Sequence, residues 1–164
     1  MYSRVKAYAE SYASSILPVM YLDTDMLVQG KIVVKDLLEQ YKNVAFCRRS
    51  FDRDAKFNIE QRGIKFPEYE GKTLDQLYPY VGCAVVAKNN QVWKDLLEIY
   101  EGLDEKFKNW YGDQEALRIY AEKYPERVSA IDESVYGCLP EHKTNDAKIL
   151  HFKGEARKKL FEAV

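Results

Sequence analysis

The sequence has few of the features that assign a protein to a specialised class. Its 164 residues include only three cysteines, Cys47, Cys83 and Cys138. Because they are odd in number and far apart, neither a disulfide framework nor a zinc ribbon follows from them, and we expect reduced core thiols. No apolar run approaches the roughly 20 residues that cross a bilayer, so we expect no transmembrane segment.

The chain also lacks an excess of charge of either sign. Its formal net charge is −1 at pH 7, which gives no general reason to expect nucleic acid or an anionic membrane as a partner. The segment Met1–Lys6 has no signal-peptide apolar core, so we expect a cytoplasmic protein. Without a repeat, low-complexity tract or linker, residues 1–164 are predicted to form one domain.

Alternating helical and strand patterns are present instead, and they predict an α/β fold. Apolar residues at helical spacing predict a helix from Val5 to Ile16 that ends before Pro18, and a helical face over Val34–Tyr41. The irregular stretch Phe51–Pro79 is predicted to be a long loop with short elements. Compact apolar runs predict strands at 19–22, 44–47, 80–87, 128–131 and 149–152, and further helices are expected over 91–100, from about 113, and over 155–162.

The most informative stretch is Val19–Val28, an apolar run that ends in two aspartates spaced two apart. Alternate side chains of an extended strand point to the same face, so Asp23 and Asp25 are predicted to project together. Paired carboxylates suit Mg²⁺, Mn²⁺ or Ca²⁺, and an ion that keeps open positions can bind a diphosphate. Strand ends in open α/β sheets are also where ligands bind. The pattern therefore predicts a divalent-cation site.

Two further motifs follow in the sequence. Trp110–Leu117 contains the pair Asp113-Gln114, and Ile149–Gly154 contains His151. In this order the three motifs resemble those of the glycosyltransferases of family 8, which have the GT-A fold. The resemblance implies a truncated GT-A-like mixed sheet flanked by helices. Only 22 residues precede Asp23, whereas two βαβ units need roughly 60, so the amino-terminal nucleotide-binding half is expected to be missing.

The resemblance also implies site residues and ligands. Asp23, Asp25 and His151 would bind Mn²⁺ (or Mg²⁺), and the ion would bind the diphosphate of a UDP-sugar donor. Asp113 and Gln114 match a family pair near the transferred sugar and a saccharide or other acceptor, with retention of anomeric configuration implied. The remaining donor-binding residues that the resemblance implies are Arg4, Lys6, Gly154, Arg157 and Lys158.

Other hypotheses stay open. A non-catalytic glycosyltransferase remnant or subunit would act as a binding or assembly module, with an exposed sheet edge that pairs in a homodimer or with a partner chain. Phosphatases with an aspartyl nucleophile also have an Asp-x-Asp motif, but they follow it with a small residue and Thr, where this chain has Met26-Leu27. Taken singly, each motif also has an ordinary structural explanation: Asp113, for example, suits a helix N-terminus.

Overall fold

The fold is described from a computed structural model over residues 2–11, 18–39, 42–61, 63–109 and 111–161. Its strands are β1 (Val19–Leu22), β2 (Met26–Val28), β3 (Val44–Arg48), β4 (Glu60–Gln61), β5 (Ile64–Lys65), β6 (Tyr80–Ala87), β7 (Val128–Asp132) and β8 (Ile149–His151). Its α-helices are α1 (Tyr2–Ser11), α2 (Leu74–Leu77), α3 (Gln91–Glu101), α4 (Glu105–Asn109), α5 (Gly112–Lys123), α6 (Glu133–Tyr136) and α7 (Glu155–Phe161).

The main sheet has four strands in the order β1-β6-β3-β7. β6 runs antiparallel to both of its neighbours, and β3 runs parallel to β7. β1, β3 and β7 therefore share one direction, and their carboxyl ends meet at one edge of the sheet. The prediction of an α/β fold with a mixed sheet and flanking helices is confirmed at this level.

β6 is apolar along its length because both of its faces are buried. Phe46 and Val85 belong to the larger core on one face, while Ala45 and Val86 belong to a smaller core on the other. The larger face is covered by α1, α3 and α5, whose contacts include the tilted ring pair of Tyr8 and Trp93 at 5.0 Å between centroids. The inward residues of α3 recur at helical spacing, as predicted; they are Val92, Trp93, Leu96 and Tyr100.

Several expected elements differ in detail. Val34–Leu37 forms a short 3-10 helix rather than the predicted α-helical face. Its flanking residues Val33 and Leu38 are extended, so the helix cannot continue in either direction. Tyr41 lies outside the described residues. α1 includes the predicted helical stretch as far as Ser11, and the rest of that prediction, from residue 12 to residue 17, also lies outside them.

A second, two-stranded sheet pairs β2 with β8 antiparallel. β2 is absent from the sequence prediction because three apolar residues give too short a pattern to assign. Its pairing brings the end of β8 beside the start of β2, since Met26 lies opposite His151 in the register. Among the described helices, none combines the length and apolarity needed to cross a membrane.

Candidate metal centre

The two aspartates lie in the turn that connects β1 to β2. The backbone N–H of Asp23 donates to the carbonyl of Cys83 on β6 at 3.0 Å, and the N–H of Phe152 donates to the carbonyl of Asp25 at 2.9 Å. The turn is therefore fixed at both ends by different sheets. The side chains converge through this turn, whereas the sequence predicted alternation along an extended strand.

His151 reaches the same place from β8. Its Nε2 atom lies 3.5 Å from Oδ1 of Asp25. One ligand atom from each of Asp23, Asp25 and His151 can be chosen so that all three lie within 4.8 Å of one another. The His151 side chain is 8% exposed and the Asp25 side chain 21%, so the cluster opens to solvent on its carboxylate side.

This donor set fits a divalent cation. Ligands of one octahedral ion with bonds of about 2.1 Å lie about 3.0 Å apart when adjacent and about 4.2 Å apart when opposite. The 3.5 Å between Nε2 of His151 and Oδ1 of Asp25 lies between these values. Three protein ligands leave about three positions of an octahedral ion open. One imidazole among oxygen ligands favours Mn²⁺ over Mg²⁺.

Tyr21 orients the first carboxylate. Its hydroxyl donates to Oδ1 of Asp23 at 2.5 Å. Tyr21 was not among the residues singled out from the sequence, although it lies two positions before Asp23 on the same strand face. The alternation of side chains along β1 could therefore have indicated it.

The imidazole of His151 binds its proton more tightly than an ordinary histidine. Burial opposes the charged form, but the thiol of Cys83 and the charges of Asp25 and Asp23 outweigh burial and raise the pKa of His151 above its usual value. Cys83 also contacts Cys47, and the hydrogen bond between these thiols lowers the pKa of Cys83 and raises that of Cys47. All three cysteines are buried free thiols, as expected.

The residues at and just before α7 that were predicted to bind the phosphates differ in their contacts. Nζ of Lys158 lies 3.5 Å from Oδ2 of Asp25 and thus belongs to the cluster. Arg157 instead pairs with Glu141, with Nε 2.9 Å from Oε1, and donates to the carbonyl of Lys153 at 3.0 Å. Gly154 has φ +86° and open space around it, which allows a close approach of another molecule to its backbone.

Asp113 and Gln114 lie against β6 at Gly82. A Cβ on Gly82 would come 3.2 Å from Oδ2 of Asp113 and 3.5 Å from the Gln114 amide nitrogen. When the oxygen and nitrogen of the Gln114 amide are placed so that both make hydrogen bonds, the nitrogen donates to the carbonyl of Tyr80 at 2.8 Å. The oxygen then accepts from the N–H of Gly82 at 2.9 Å. Gln114 thus continues the hydrogen bonding of β6 beyond the end of β1.

The start of α5 is strained. Tyr111, which precedes the helix, has φ 67°, a conformation that costs a non-glycine residue about 1 kcal/mol or more. Its ring stacks on Tyr78 at 5.3 Å between centroids, and this packing holds the strained residue in place. Backbone strain of this kind concentrates at functional sites.

A partly open pocket adjoins these residues. Tyr21, Gly82 and Trp93 lie in its wall together with Asp113, which is the one charged side chain among the described residues of the lining. Tyr21 also holds Asp23, so the pocket and the carboxylate cluster share a wall.

Two of the predicted donor-binding residues belong to α1. Lys6 is exposed, with Nζ 3.9 Å from Oε1 of Glu10. The side chain of Arg4 lies outside the described part of the chain. Neither residue is assigned a role in the cluster.

Comparison with protein-family models and with curated proteins finds no match for this chain. Its function is therefore inferred from its motifs and from the chemistry of the site.

Proposed function

We propose that this chain is a GT-A-like glycosyltransferase domain of the family 8 type, which binds Mn²⁺ (or Mg²⁺) and, through the ion, the diphosphate of a UDP-sugar. The observation that carries the proposal is the convergence of Asp23, Asp25 and His151. These residues come from two motifs far apart in the sequence, and one ligand atom from each lies within 4.8 Å of the others.

Sugar transfer leaves negative charge on the departing phosphate, and a bound divalent cation would stabilise that charge as it develops. Lys158 is placed to add a second positive charge. Its ammonium group lies 3.5 Å from Asp25 and its side chain is 49% exposed, so it can turn towards a bound phosphate at small cost. Arg157, in contrast, has Glu141 as its partner.

The residues beside the cluster are our candidates for contact with the sugar. Tyr21, which is half-buried, offers aromatic surface against which the apolar face of a hexose can pack, and Asp113 offers an acceptor for hydroxyl groups. The Gln114 amide is engaged by the backbone of β6. We therefore assign contact with the sugar to Asp113 and support of β6 to Gln114, with retention of configuration as the expected outcome.

A second candidate is a non-catalytic binding or assembly module that keeps the metal site. The observation that favours it is the edge position of β1, which pairs only with β6 within the described residues. Val19 on this strand is 37% exposed. An exposed edge of this kind can pair with another chain, for example in a homodimer.

Calorimetric titration of UDP into the protein, with and without Mn²⁺, tests these candidates. We expect binding that requires Mn²⁺ and is lost in the double variant Asp23→Asn/Asp25→Asn. Asp146→Asn, a change at an exposed aspartate outside the cluster, is the matched control and is expected to bind as the wild type does. A parallel titration of Mn²⁺ alone measures the cation site directly.

The outcomes separate the hypotheses. Binding of Mn²⁺ without UDP favours the assembly module, and a dimer in light scattering would add to that support. Failure to bind Mn²⁺ contradicts both candidates. Hydrolysis of p-nitrophenyl phosphate with Mg²⁺, lost in the double variant, would instead favour the phosphatase hypothesis.

A further inference from the structure

We infer that Lys158 is a counter-ion of the aspartate cluster, which opposes a divalent cation at Asp25 and then turns to the phosphate that the cation brings. The inference rests on the proposed function and deepens it. The same ammonium group would have two opposite effects, because it would weaken binding of the cation alone and strengthen binding of the diphosphate once the cation is present.

Asp25 meets its two neighbours through different carboxylate oxygens. Its Oδ1 atom lies 3.5 Å from Nε2 of His151, and its Oδ2 atom lies 3.5 Å from Nζ of Lys158. An ion bound between Asp25 and His151 would therefore share one carboxylate with the ammonium group. Positive charges this close repel each other, and the ammonium group also reduces the negative potential that attracts the ion.

The ammonium group contributes charge to the cluster rather than orientation. Charge-assisted N–H···O bonds are about 2.7–2.9 Å long, whereas the 3.5 Å between Nζ of Lys158 and Oδ2 of Asp25 is the distance of a looser ion pair. The backbone of Asp25 is fixed independently, because its carbonyl accepts the N–H of Phe152 at 2.9 Å. Removal of the ammonium group should therefore leave the carboxylate in place.

Arg157 keeps α7 in place while Lys158 changes its partner. Nε of Arg157 lies 2.9 and 3.0 Å from the two carboxylate oxygens of Glu141. Arg157 is half-buried, whereas the Lys158 side chain is 49% exposed. Lysine carries a point charge on a flexible four-carbon stem, so Lys158 can turn from Asp25 to a ligand without a displacement of the helix.

A diphosphate would reverse the effect of Lys158 on the cation. Phosphate oxygens at the open positions of the ion would bring negative charge beside the cluster, and the ammonium group would exchange half of a shared carboxylate for that charge. Each ligand then favours the arrangement in which Lys158 has left Asp25, so the two binding events are coupled. The site would hold a cation firmly only together with its anion.

Calorimetry of Lys158→Gln tests the inference, with Mn²⁺ alone and with UDP at saturating Mn²⁺. At low salt, Mn²⁺ alone should bind the variant about three- to tenfold more tightly than the wild type, because a like charge is removed. UDP should bind the variant more weakly than the wild type. The gain for Mn²⁺ should shrink in about 0.5 M salt, because salt screens a partly exposed charge.

Lys159→Gln is the matched control, because it removes the same charge from the next, exposed position of α7. It should change both affinities less than twofold. Lys158→Arg keeps the charge and should bind Mn²⁺ alone no more tightly than the wild type does. Equal gains for Mn²⁺ in Lys158→Gln and Lys159→Gln would reflect net charge alone and would overturn the inference.

The outcomes separate this inference from the proposed function. If Lys158→Gln binds Mn²⁺ no more tightly than the wild type while UDP binding still requires Mn²⁺, the inference fails and the proposed function stands. If Lys158→Gln gains affinity for Mn²⁺ but neither protein binds UDP, the competition at Asp25 stands and the proposed function fails. If neither protein binds Mn²⁺, both fail.

Discussion

Gly112, the first residue of α5, is the position where a single methyl group should do most damage near the candidate site. A Cβ there would lie 2.6 Å from Cε2 of Tyr100 and 2.9 Å from the carbonyl oxygen of Phe107. The carbonyl belongs to the backbone of α4 and cannot rotate away. Tyr100 is also restrained, because its hydroxyl donates to the carbonyl of Lys108 at 3.1 Å. Gly112→Ala must therefore displace α5 or α4.

Two opposing effects determine how much Gly112→Ala lowers the free energy of unfolding. Alanine is favoured over glycine within a helix by up to about 1 kcal/mol. Overpacking of a well-packed core costs about 1–3 kcal/mol, and occasionally more. Because one of the two contacts is with backbone, the upper part of that range applies, and we expect a net loss of about 1–2 kcal/mol. The displaced α5 would carry Asp113 and Gln114 away from Gly82.

Urea unfolding provides the assay, and Gly102→Ala provides the control. A Cβ on Gly102 would make only ordinary contacts of 3.5 and 3.6 Å with backbone oxygens, and its φ of −79° suits alanine. With an m-value of about 2 kcal/mol/M, Gly112→Ala should lower the midpoint by roughly 0.5–1 M, while Gly102→Ala should leave it unchanged or slightly raised. A wild-type midpoint for Gly112→Ala would refute the packing argument.

Two further predictions concern charge. Lys158→Gln should weaken the binding of UDP in the presence of Mn²⁺. Arg157→Gln should change the UDP affinity less than twofold, because Arg157 already pairs with a carboxylate. Equal effects of the two variants in calorimetry would contradict the different roles of these residues. Burial raises the pKa of Tyr120 to about 12, while an unfolded tyrosine titrates near 10. Between these values the folded state holds the phenol proton more tightly, so Tyr120 alone should lower stability by up to roughly 1.4 kcal/mol per pH unit as pH rises. Tyr69, whose pKa burial also raises to about 12, should add to this slope. Urea unfolding at pH 9 to 11 should show this slope, reduced in Tyr120→Phe, and an identical slope in that variant would count against the assignment.

The main strands were predictable because a strand that is buried on both faces consists mostly of apolar residues. Tyr80–Ala87 is apolar throughout, as a strand buried on both faces must be, and Val44–Cys47 is its neighbour of the same kind. The short elements were not predictable. Met26–Val28 becomes a strand only because Ile149–His151 is there to pair with it, and that partner is supplied by the tertiary fold.

The same distinction applies to the site. The pair Asp23 and Asp25 could be proposed from its spacing after a strand, and His151 could be added because the resemblance to family 8 implies it. The hydrogen bond from Tyr21 to Asp23 is local, and the alternation of side chains along β1 could have indicated it. The bond between Asp23 and the carbonyl of Cys83 depends on the register of β1 against β6, which no local pattern of residues specifies.

An interruption in the main sheet explains why the site lies where it does. β3 pairs Phe46 with Val85 and then Cys47 with Val81, so residues 82–84 of β6 have no partner on β3. Such bulges redirect side chains and end regular pairing, and they often lie beside active sites. Two of these residues support the candidate site: Gly82 admits Asp113 and Gln114 because it has no Cβ, and the carbonyl of Cys83 accepts the N–H of Asp23. Regular pairing along β6 would leave no such freedom, so the break in the sheet is itself part of the candidate metal centre.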